Sequence, residues 1–242
     1  MNRTDDRVRL DIFLVENGYT DSREKAKHVI RAGGVLVGDK VVLKSSRMVN
    51  SDSNVKIVEG FGYVGRGGYK IDNATKHFGI DFTDKVVADI GCSVGGFTDY
   101  VLKHGAKKVY AVDTGDVLDK SLRGDARIIY MPNTDARRIG KFYDRVDLCL
   151  IDVTFSTIES ILSVAGDWLV KNGEVLGLIK PPFEIGEKVK KIRSYEECAE
   201  MANRSVRWAE SNGYTVKGLI NSDLKGKTAN QQEFFIYLTS LY

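Results

Sequence analysis

The stretch that most constrains this chain is K-V-V-A-D-I-G-C-S-V-G-G-F-T, residues 85–98. Its β-branched run predicts a buried strand that ends near Ile90. Three glycines follow, and glycine permits a tight turn and a close approach of the backbone to a ligand. They are Gly91, Gly95 and Gly96. Because a helical pattern starts at Phe97, the stretch predicts a strand, a glycine turn and a helix N-terminus, the typical corner of a nucleotide-binding fold.

The spacing of the glycines indicates which class of ligand the turn binds. It is G-x-x-x-G-G rather than the G-x-G-x-x-G of dinucleotide-binding proteins, which favours S-adenosylmethionine (SAM) over NAD. Asp89 precedes the first glycine and is suited to an ammonium group or a ribose, so no pyrophosphate is required. An ordinary strand-to-helix turn is the structural alternative.

The rest of this region alternates strands and helices. The run V-Y-A-V-D predicts a second strand that ends in Asp113, about 20 residues past the glycine turn, where nucleotide-binding folds place a ribose-binding acid. Further strands are predicted at residues 127–131, 148–151, 174–179, 216–220 and 233–238, and helices at 69–78, 155–169 and 195–211. This alternation predicts an α/β, Rossmann-like domain with a mostly parallel sheet and its ligands at the carboxyl ends of the strands.

Four polar residues stand where apolar ones are expected. Asp152 and Lys180 end apolar strands, Glu233 begins one, and Lys70 opens the helix before the sheet. A lysine beside two carboxylates in a cleft forms a charge network that tunes a proton acceptor. Each residue alone also has a structural interpretation as a helix cap, a surface lysine or an edge-strand charge.

The first 59 residues read as a separate small α+β unit. A helix is predicted at residues 7–17, a basic second helix ends at Gly33, and V-L-V-G-D-K-V-V-L predicts a hairpin. A strand at residues 55–58 closes the unit, and the glycine-rich residues 60–68 form a linker. The remaining residues, 69–242, form the α/β domain.

This small unit resembles the RNA-binding domain first named for ribosomal protein S-four. The matching stretches are R-L-D-I-F-L-V-E, S-R-E-K-A-K and I-R-A-G-G-V-L-V-G-D. The resemblance implies RNA contacts from the basic helix and the adjacent loop, and Arg66 adds a cation in the linker. The implied RNA-binding residues are Arg23, Lys27, Arg31, Lys44 and Arg66. A solvated basic helix face is the alternative.

The whole chain resembles the TlyA family, also called hemolysin-like proteins, in which the catalytic domain is an FtsJ-type ribose methyltransferase. Matching stretches include Y-V-G-R-G-G-Y-K, D-V-T-F-S, L-I-K-P-P-F-E and Q-E-F-F-I-Y-L. The resemblance implies SAM-dependent 2′-O-methylation of RNA, most naturally ribosomal RNA within a subunit. It implies a catalytic tetrad of Lys70, Asp152, Lys180 and Glu233.

The resemblance also implies how SAM is bound. The glycine turn and Ser93 would hold its methionine part, Asp113 its ribose and Asp135 its adenine amino group. The full set of implied cofactor-binding residues is Asp89, Gly91, Ser93, Gly95, Gly96, Phe97, Asp113 and Asp135.

Composition limits the alternatives. The formal net charge of +3 permits a nucleic-acid partner without requiring one. The three scattered cysteines indicate buried thiols in a reducing cytoplasm, no residue cluster suggests a metal site, and no apolar run predicts a membrane span or a secretory signal. Three other functions remain open: a nicotinamide oxidoreductase, a catalytically silent RNA-binding protein and a membrane-active hemolysin. The sequence leaves the oligomeric state open.

Overall fold

The computed structural model of this chain describes residues 7–31, 33–38, 40–57, 63–184, 193–224 and 231–241, apart from the side chains of His28 and Arg31. The chain divides into two compact units, Met1–Arg66 and Gly67–Tyr242. Each unit has its own apolar core. Within the described ranges, no helix has both the length and the apolar composition that crossing a bilayer requires.

The described part of the first unit contains two helices and five short strands. They are β1 (Arg7–Arg9), α1 (Leu10–Glu16), α2 (Arg23–Arg31), β2 (Val35–Val37), β3 (Lys40–Val41), β4 (Met48–Asn50) and β5 (Val55–Ile57). Strand β2 pairs antiparallel with β3 and β5, and β1 pairs antiparallel with β4. Leu10, Leu14 and Ile30 on the helices are fully buried with Val35 on β2, so one core joins helices and strands.

Two boundaries of this region differ from the prediction. The predicted hairpin is confirmed, but the helix predicted at residues 7–17 is wrong at its start, because Arg7–Arg9 forms β1 and pairs with β4. The linker prediction is wrong at its end, because a helix already begins at Gly67. Residues 58–62, which include the first three residues of the predicted linker, lie outside the described residues.

The second unit alternates strands and helices, as expected for an α/β domain. The elements are α3 (Gly67–Phe78), β6 (Val86–Ile90), α4 (Gly96–Lys103), β7 (Lys108–Val112), β8 (Ile128–Met131), β9 (Val146–Ile151), α5 (Ile158–Ala165), β10 (Leu169–Ile179), α6 (Pro181–Glu184), α7 (Tyr195–Ser211), β11 (Tyr214–Asn221) and β12 (Phe234–Ser240).

These strands form one seven-stranded sheet in the order β11-β12-β10-β9-β6-β7-β8. Strands β8, β7, β6, β9 and β10 are parallel, whereas β12 is antiparallel to both of its neighbours. The chain reverses its direction of travel across the sheet at β6, and such a switch point is where α/β sheets bind ligands. The topology confirms the predicted Rossmann-like α/β class.

The helix predicted at residues 155–169 is too long at both ends. Phe155 has a φ of +67°, which a right-handed helix does not allow, and the Thr157 side chain caps a helix that begins at Ile158. At the other end, Leu169 already pairs with Val146 as the first residue of β10. The observed α5 therefore has only eight residues.

Candidate active site

All four residues of the predicted tetrad lie in the second unit, and three of them flank strand ends. Asp152 directly follows β9 and Lys180 directly follows β10. Because β12 runs antiparallel to β10, with Ile179 opposite Phe234, its first end lies at the same sheet edge, and Glu233 directly precedes it. The fold thus brings these residues to the carboxyl edge of the parallel strands.

Lys70 reaches Glu233 from α3. The two side chains form a short ion pair and are 10% and 6% exposed. Burial raises the pKa of Glu233, and the nearby Lys70 opposes this shift. Because breaking a buried pair leaves one charge uncompensated, each partner holds the other in place.

Lys180 and Asp152 form the second ion pair of the edge. Lys180 Nζ lies 2.5 Å from Asp152 Oδ1 and also donates to Thr154 Oγ1 at 3.0 Å. The charges of Asp152 and Lys180 both act on the pKa of Glu233, in opposite directions, so the two pairs are close enough to be electrostatically coupled. The tetrad is therefore a pair of coupled ion pairs.

The glycine turn lies beside this tetrad. Gly91 has a φ of +84°, and a Cβ atom at this position would lie 2.5 Å from the Asp152 carbonyl oxygen. Gly95 has a φ of +96° and caps the N-terminus of α4. A Cβ atom on Gly96 would lie 3.0 Å from Gly67 in α3, so the absence of a side chain lets the two helix starts pack closely.

Asp113 and Asp89 are the two acids of the predicted cofactor site. Asp113 accepts the backbone N–H groups of Ser93 and Gly115, both at 2.8 Å, and so fixes the glycine turn against the end of β7. Asp89 is fully buried, and its Oδ2 accepts the Thr98 hydroxyl at 2.6 Å. Burial raises the pKa of Asp89 to about 7, and its Oδ1 accepts no hydrogen bond from any residue that the structure describes.

Phe97 and Asp135 have other partners in this structure. The Phe97 ring is buried, 6.3 Å from the Phe235 ring. The Asp135 carboxylate pairs with Arg137 at 2.6 Å, which lowers the pKa of Asp135 to about 2. Asp135 nevertheless follows β8 on the same edge, because Thr134 donates its backbone N–H to the Asp113 carbonyl at 2.8 Å.

The predicted RNA-binding residues lie in the first unit. Arg23 Nη2 binds the fully buried Asp11 at 3.1 Å, Lys27 pairs with Glu24 at 2.6 Å, and Lys44 is exposed in the loop before β4. Arg66 is the last residue of this unit and is partly buried. The side chain of Arg31 lies outside the described residues.

The sequence reasoning missed a charge cluster in this unit. Asp11 also binds Arg9, at 2.9 Å, and the two guanidinium groups hold the pKa of Asp11 at about 2. Both arginines keep about half of their side chains exposed. The R-L-D motif contains Arg9 and Asp11, so the signal was present, but only the fold shows that one carboxylate holds both arginines.

The sequence reasoning also missed Phe155. It is 84% exposed and stands three residues after Asp152, and its positive φ is unusual for a bulky residue. Its ring contacts the edge of Phe183, three residues after Lys180, with a centroid distance of 5.4 Å. The only sequence signal was an aromatic residue in the polar loop D-V-T-F-S.

Comparisons with known proteins match both units. The FtsJ-like methyltransferase model matches residues 63–240, and the S4 domain model matches residues 8–55. A candidate rRNA methyltransferase of Bacillus subtilis, YqxC, is 36% identical over 97% of this chain and 86% of its own length. The 16S/23S rRNA (cytidine-2′-O)-methyltransferase TlyA of Mycobacterium tuberculosis is 30% identical over 96% of this chain and 90% of its own.

A solved structure agrees with these matches. It is described as a candidate hemolysin from Streptococcus thermophilus and is 31% identical to this chain. The match covers 98% of this chain and 90% of that one, with a TM-score of 0.72. The likeness therefore extends over both units rather than over the sheet alone.

Proposed function

This chain belongs to the family of FtsJ-like methyltransferases, and we propose that it transfers the methyl group of SAM to ribose 2′-hydroxyl groups of ribosomal RNA. One observation carries the proposal: the pairs Lys180–Asp152 and Lys70–Glu233 meet at the sheet edge that holds the glycine turn. The names of the Bacillus and Mycobacterium relatives support ribosomal RNA as the substrate. The family match decides against a nicotinamide oxidoreductase.

We assign SAM to the edge between the ends of β6, β7 and β8. The turn from Gly91 to Gly96 and Ser93 would hold the methionine part, Asp113 the ribose and Asp135 the adenine. The residues fit this ligand, because each Asp113 oxygen accepts one backbone N–H and keeps a lone pair for a hydroxyl group. Asp89 Oδ1, which accepts no hydrogen bond from the part of the chain that the structure describes, supports a positively charged group near the turn.

Lys180 is the residue that we assign to the reacting hydroxyl. SAM supplies a methyl group that is already activated on its sulfonium sulfur. The transfer breaks the sulfur–carbon bond, forms a carbon–oxygen bond to the 2′-oxygen and releases the hydroxyl proton. Lys180 orients the 2′-hydroxyl group, and its ion pair with Asp152 takes up the released proton, while Thr154 holds Nζ in place. Alignment alone contributes on the order of 7–11 kcal/mol in favourable cases, so holding Lys180 in a fixed position is itself a contribution to catalysis.

The test of this assignment is Lys180→Ala, with ribose methylation of ribosomal RNA mapped by mass spectrometry. Methylation should disappear while calorimetry with SAM gives nearly the wild-type affinity, because Lys180 is not among the cofactor-binding residues. Lys171→Ala is the matched control, since Lys171 is an exposed lysine on the same strand. Substantial turnover by Lys180→Ala would remove Lys180 from the chemistry.

We further propose that Phe155 stacks on the base of the target nucleotide. Proteins that act on RNA in a sequence-specific way commonly stack unpaired bases on exposed aromatic rings. Phe155 fits this role because it is exposed, lies next to the Asp152 segment and is supported from below by Phe183. Its strained backbone is typical of functional sites.

The first unit supplies RNA affinity in this proposal. We assign its phosphate contacts to Arg23, Lys27, Arg31, Lys44 and Arg66. We add Arg9, because it shares the Asp11 carboxylate with Arg23. Replacing Arg23, Lys27 and Arg31 together should flatten the salt dependence of RNA binding by about two to three units of log–log slope, because each phosphate contact contributes about 0.7–0.9. Lys76→Ala is the control, since Lys76 is an exposed lysine of the second unit that pairs with Asp72.

The division of labour follows from the same reasoning. A chain without residues 1–59 should still bind SAM but methylate RNA poorly. If the truncated chain methylates RNA as efficiently as the full chain, the first unit does not supply RNA affinity.

We also place the reaction in the cytoplasm without stable membrane association, because all three cysteines are free and buried and the proposed substrate is ribosomal RNA.

A further inference from the structure

Glu184 ends the short helix α6, which directly follows Lys180. The backbone N–H of Phe183 donates to the Lys180 carbonyl at 2.9 Å, so α6 continues the chain from Lys180 in one tight turn. Pro181 and Pro182 are buried and restrict the backbone of this turn. A shift of Glu184 should therefore also move Lys180, because only three residues separate them and two of these are prolines.

The Glu184 carboxylate binds the start of α5. The backbone N–H of Ile158 donates to Glu184 Oε2 at 3.0 Å and to Oε1 at 3.3 Å. Ile158 is the first residue of α5, and the loop that precedes it carries Asp152, Thr154 and Phe155. This contact joins the chain segment of Lys180 to the chain segment of Asp152, in addition to the contacts that Lys180 Nζ makes with Asp152 and Thr154.

The same helix start has a second, purely local cap. The Thr157 hydroxyl accepts the backbone N–H of Ser160 at 3.2 Å. This contact stabilises the first turn of α5 but does not reach α6. The start of α5 therefore has two caps, and of these two only Glu184 belongs to the Lys180 segment.

We propose that Glu184 is a positioning residue for the methyl transfer: its contact with Ile158 fixes the Asp152 segment against the Lys180 segment and so sets the geometry of the Lys180–Asp152 pair. This inference rests on the proposed function. The surroundings support it, because burial raises the pKa of Glu184 to about 7 while the Ile158 N–H and Lys180 oppose that shift and Glu159 reinforces it. Burying a carboxyl group costs solvation free energy, and the hydrogen bond from the Ile158 N–H offsets part of that cost.

The experiment compares four variants of the full chain: Glu184→Gln, Glu184→Asp, Glu184→Leu and Thr157→Val. The measurements are kcat with ribosomal RNA at saturating SAM, the affinity for SAM and the thermal midpoint. Glu184→Leu should lower kcat at least tenfold and leave SAM affinity within about twofold of wild type. Glu184→Asp keeps the charge but shortens the reach, so its kcat should fall as well. Glu184→Gln keeps an acceptor at the same distance and should restore kcat to within about threefold.

Thr157→Val separates positioning from helix stability. It should lower the thermal midpoint as Glu184→Leu does but leave kcat close to wild type. If Thr157→Val and Glu184→Leu lose kcat equally, Glu184 acts only as a helix cap and the proposal is wrong. A wild-type kcat in Glu184→Leu or Glu184→Asp would also overturn the proposal. If Glu184→Leu does not fold, the contrast between Glu184→Asp and Glu184→Gln decides. An active Lys180→Ala enzyme would instead remove Lys180 from the chemistry, and a wild-type protein that methylates no ribose of ribosomal RNA would overturn the proposed function. Both results are read independently of Glu184.

Discussion

The main chains of Gly91 and Asp152 touch, so that a Cβ atom on Gly91 would lie 2.5 Å from the Asp152 carbonyl oxygen. The backbone N–H of Asp152 also donates to the Ile90 carbonyl at 2.9 Å. The end of β6 and the end of β9 are therefore locked together. This contact fixes the distance between the glycine turn, which we assign to SAM, and Asp152 of the proposed tetrad.

Gly91→Ala should disturb both parts of the site at once. The substitution strains a backbone with φ of +84° and forces the two strand ends apart, which should destabilise the fold by about 1–3 kcal/mol. SAM affinity and kcat should both fall, as measured by calorimetry and methyl transfer. Gly124→Ala is the control, because a Cβ atom there meets open space. Wild-type unfolding and affinity in Gly91→Ala would contradict the locked turn.

Asp113→Ala should weaken SAM binding at least tenfold, which corresponds to about 1.4 kcal/mol. Two causes act together, since the variant loses the proposed ribose contact and releases the backbone of Ser93 and Gly115. Asp116→Ala is the matched control, because this nearby acid pairs with Arg123 at 2.7 Å instead. Unchanged calorimetric affinity in a folded Asp113→Ala protein would place the cofactor elsewhere.

Phe155 offers a prediction in which stability and activity move in opposite directions. Phe155→Gly should raise the thermal midpoint, because glycine accepts the positive φ without strain, while kcat/KM for RNA falls. Loss of one stacked base is worth about 1–3 kcal/mol, or a fall of about five- to 150-fold.

SAM affinity should not change in this variant, since Phe155 is not assigned to the cofactor. Tyr143→Ala is the control, because Tyr143 is a 95% exposed aromatic residue with no assigned role. If Phe155→Gly and Tyr143→Ala methylate RNA equally well, no base stacks on Phe155.

Because of Asp11, we expect the first unit to lose stability at low pH. Its pKa falls from an ordinary 3.8 to about 2 in the fold, so the unfolded chain binds a proton more readily. The stabilisation is fully present above about pH 5 and is lost as the pH falls from about 4 through about 2. Asp11→Asn should lower the thermal midpoint at pH 6, and the difference from wild type should shrink towards pH 2.

The exposed Asp52 provides the comparison for that pH series. Asp52→Asn should follow the wild-type curve across the range, since no ion pair of the described residues involves it. RNA affinity should also fall in Asp11→Asn, because Arg9 and Arg23 lose the carboxylate that orients them. A wild-type pH profile for Asp11→Asn would show that the buried pair contributes nothing to stability.

Local signals were sufficient to predict the α/β fold and the sheet edge of the site. A β-branched run followed by glycines places Gly91 at a strand end, and a parallel sheet then puts Asp113, Asp152 and Lys180 at the same edge. The sequence could not pair Lys70 with Glu233, which are 163 residues apart, because this contact depends on how β12 enters the sheet. Nor could it show that Gly96 packs closely against Gly67 at the start of α3.

The missed features share one property, which is that tertiary contacts override the local pattern. Strand β1 has three residues and exists because β4 pairs with it. The left-handed backbone of Phe155 shortens α5, whereas a helix-compatible apolar pattern continues to Leu169. The contact from Glu184 to Ile158 joins two segments 26 residues apart, and no periodicity encodes it.

Of the four residues of the proposed tetrad, the ribosome makes Glu233 last, just before the antiparallel strand β12. Glu233 precedes this strand, and the strand fills the gap between β10 and β11. A ribosome that synthesises this chain completes Lys70, Asp152 and Lys180 long before it reaches residue 240. Until then Lys70 lacks its carboxylate, and the edge of β10 that β12 covers is unpaired. If the proposed tetrad is catalytic, a polypeptide that stalls before Glu233 contains the complete glycine turn but lacks the carboxylate that pairs with Lys70.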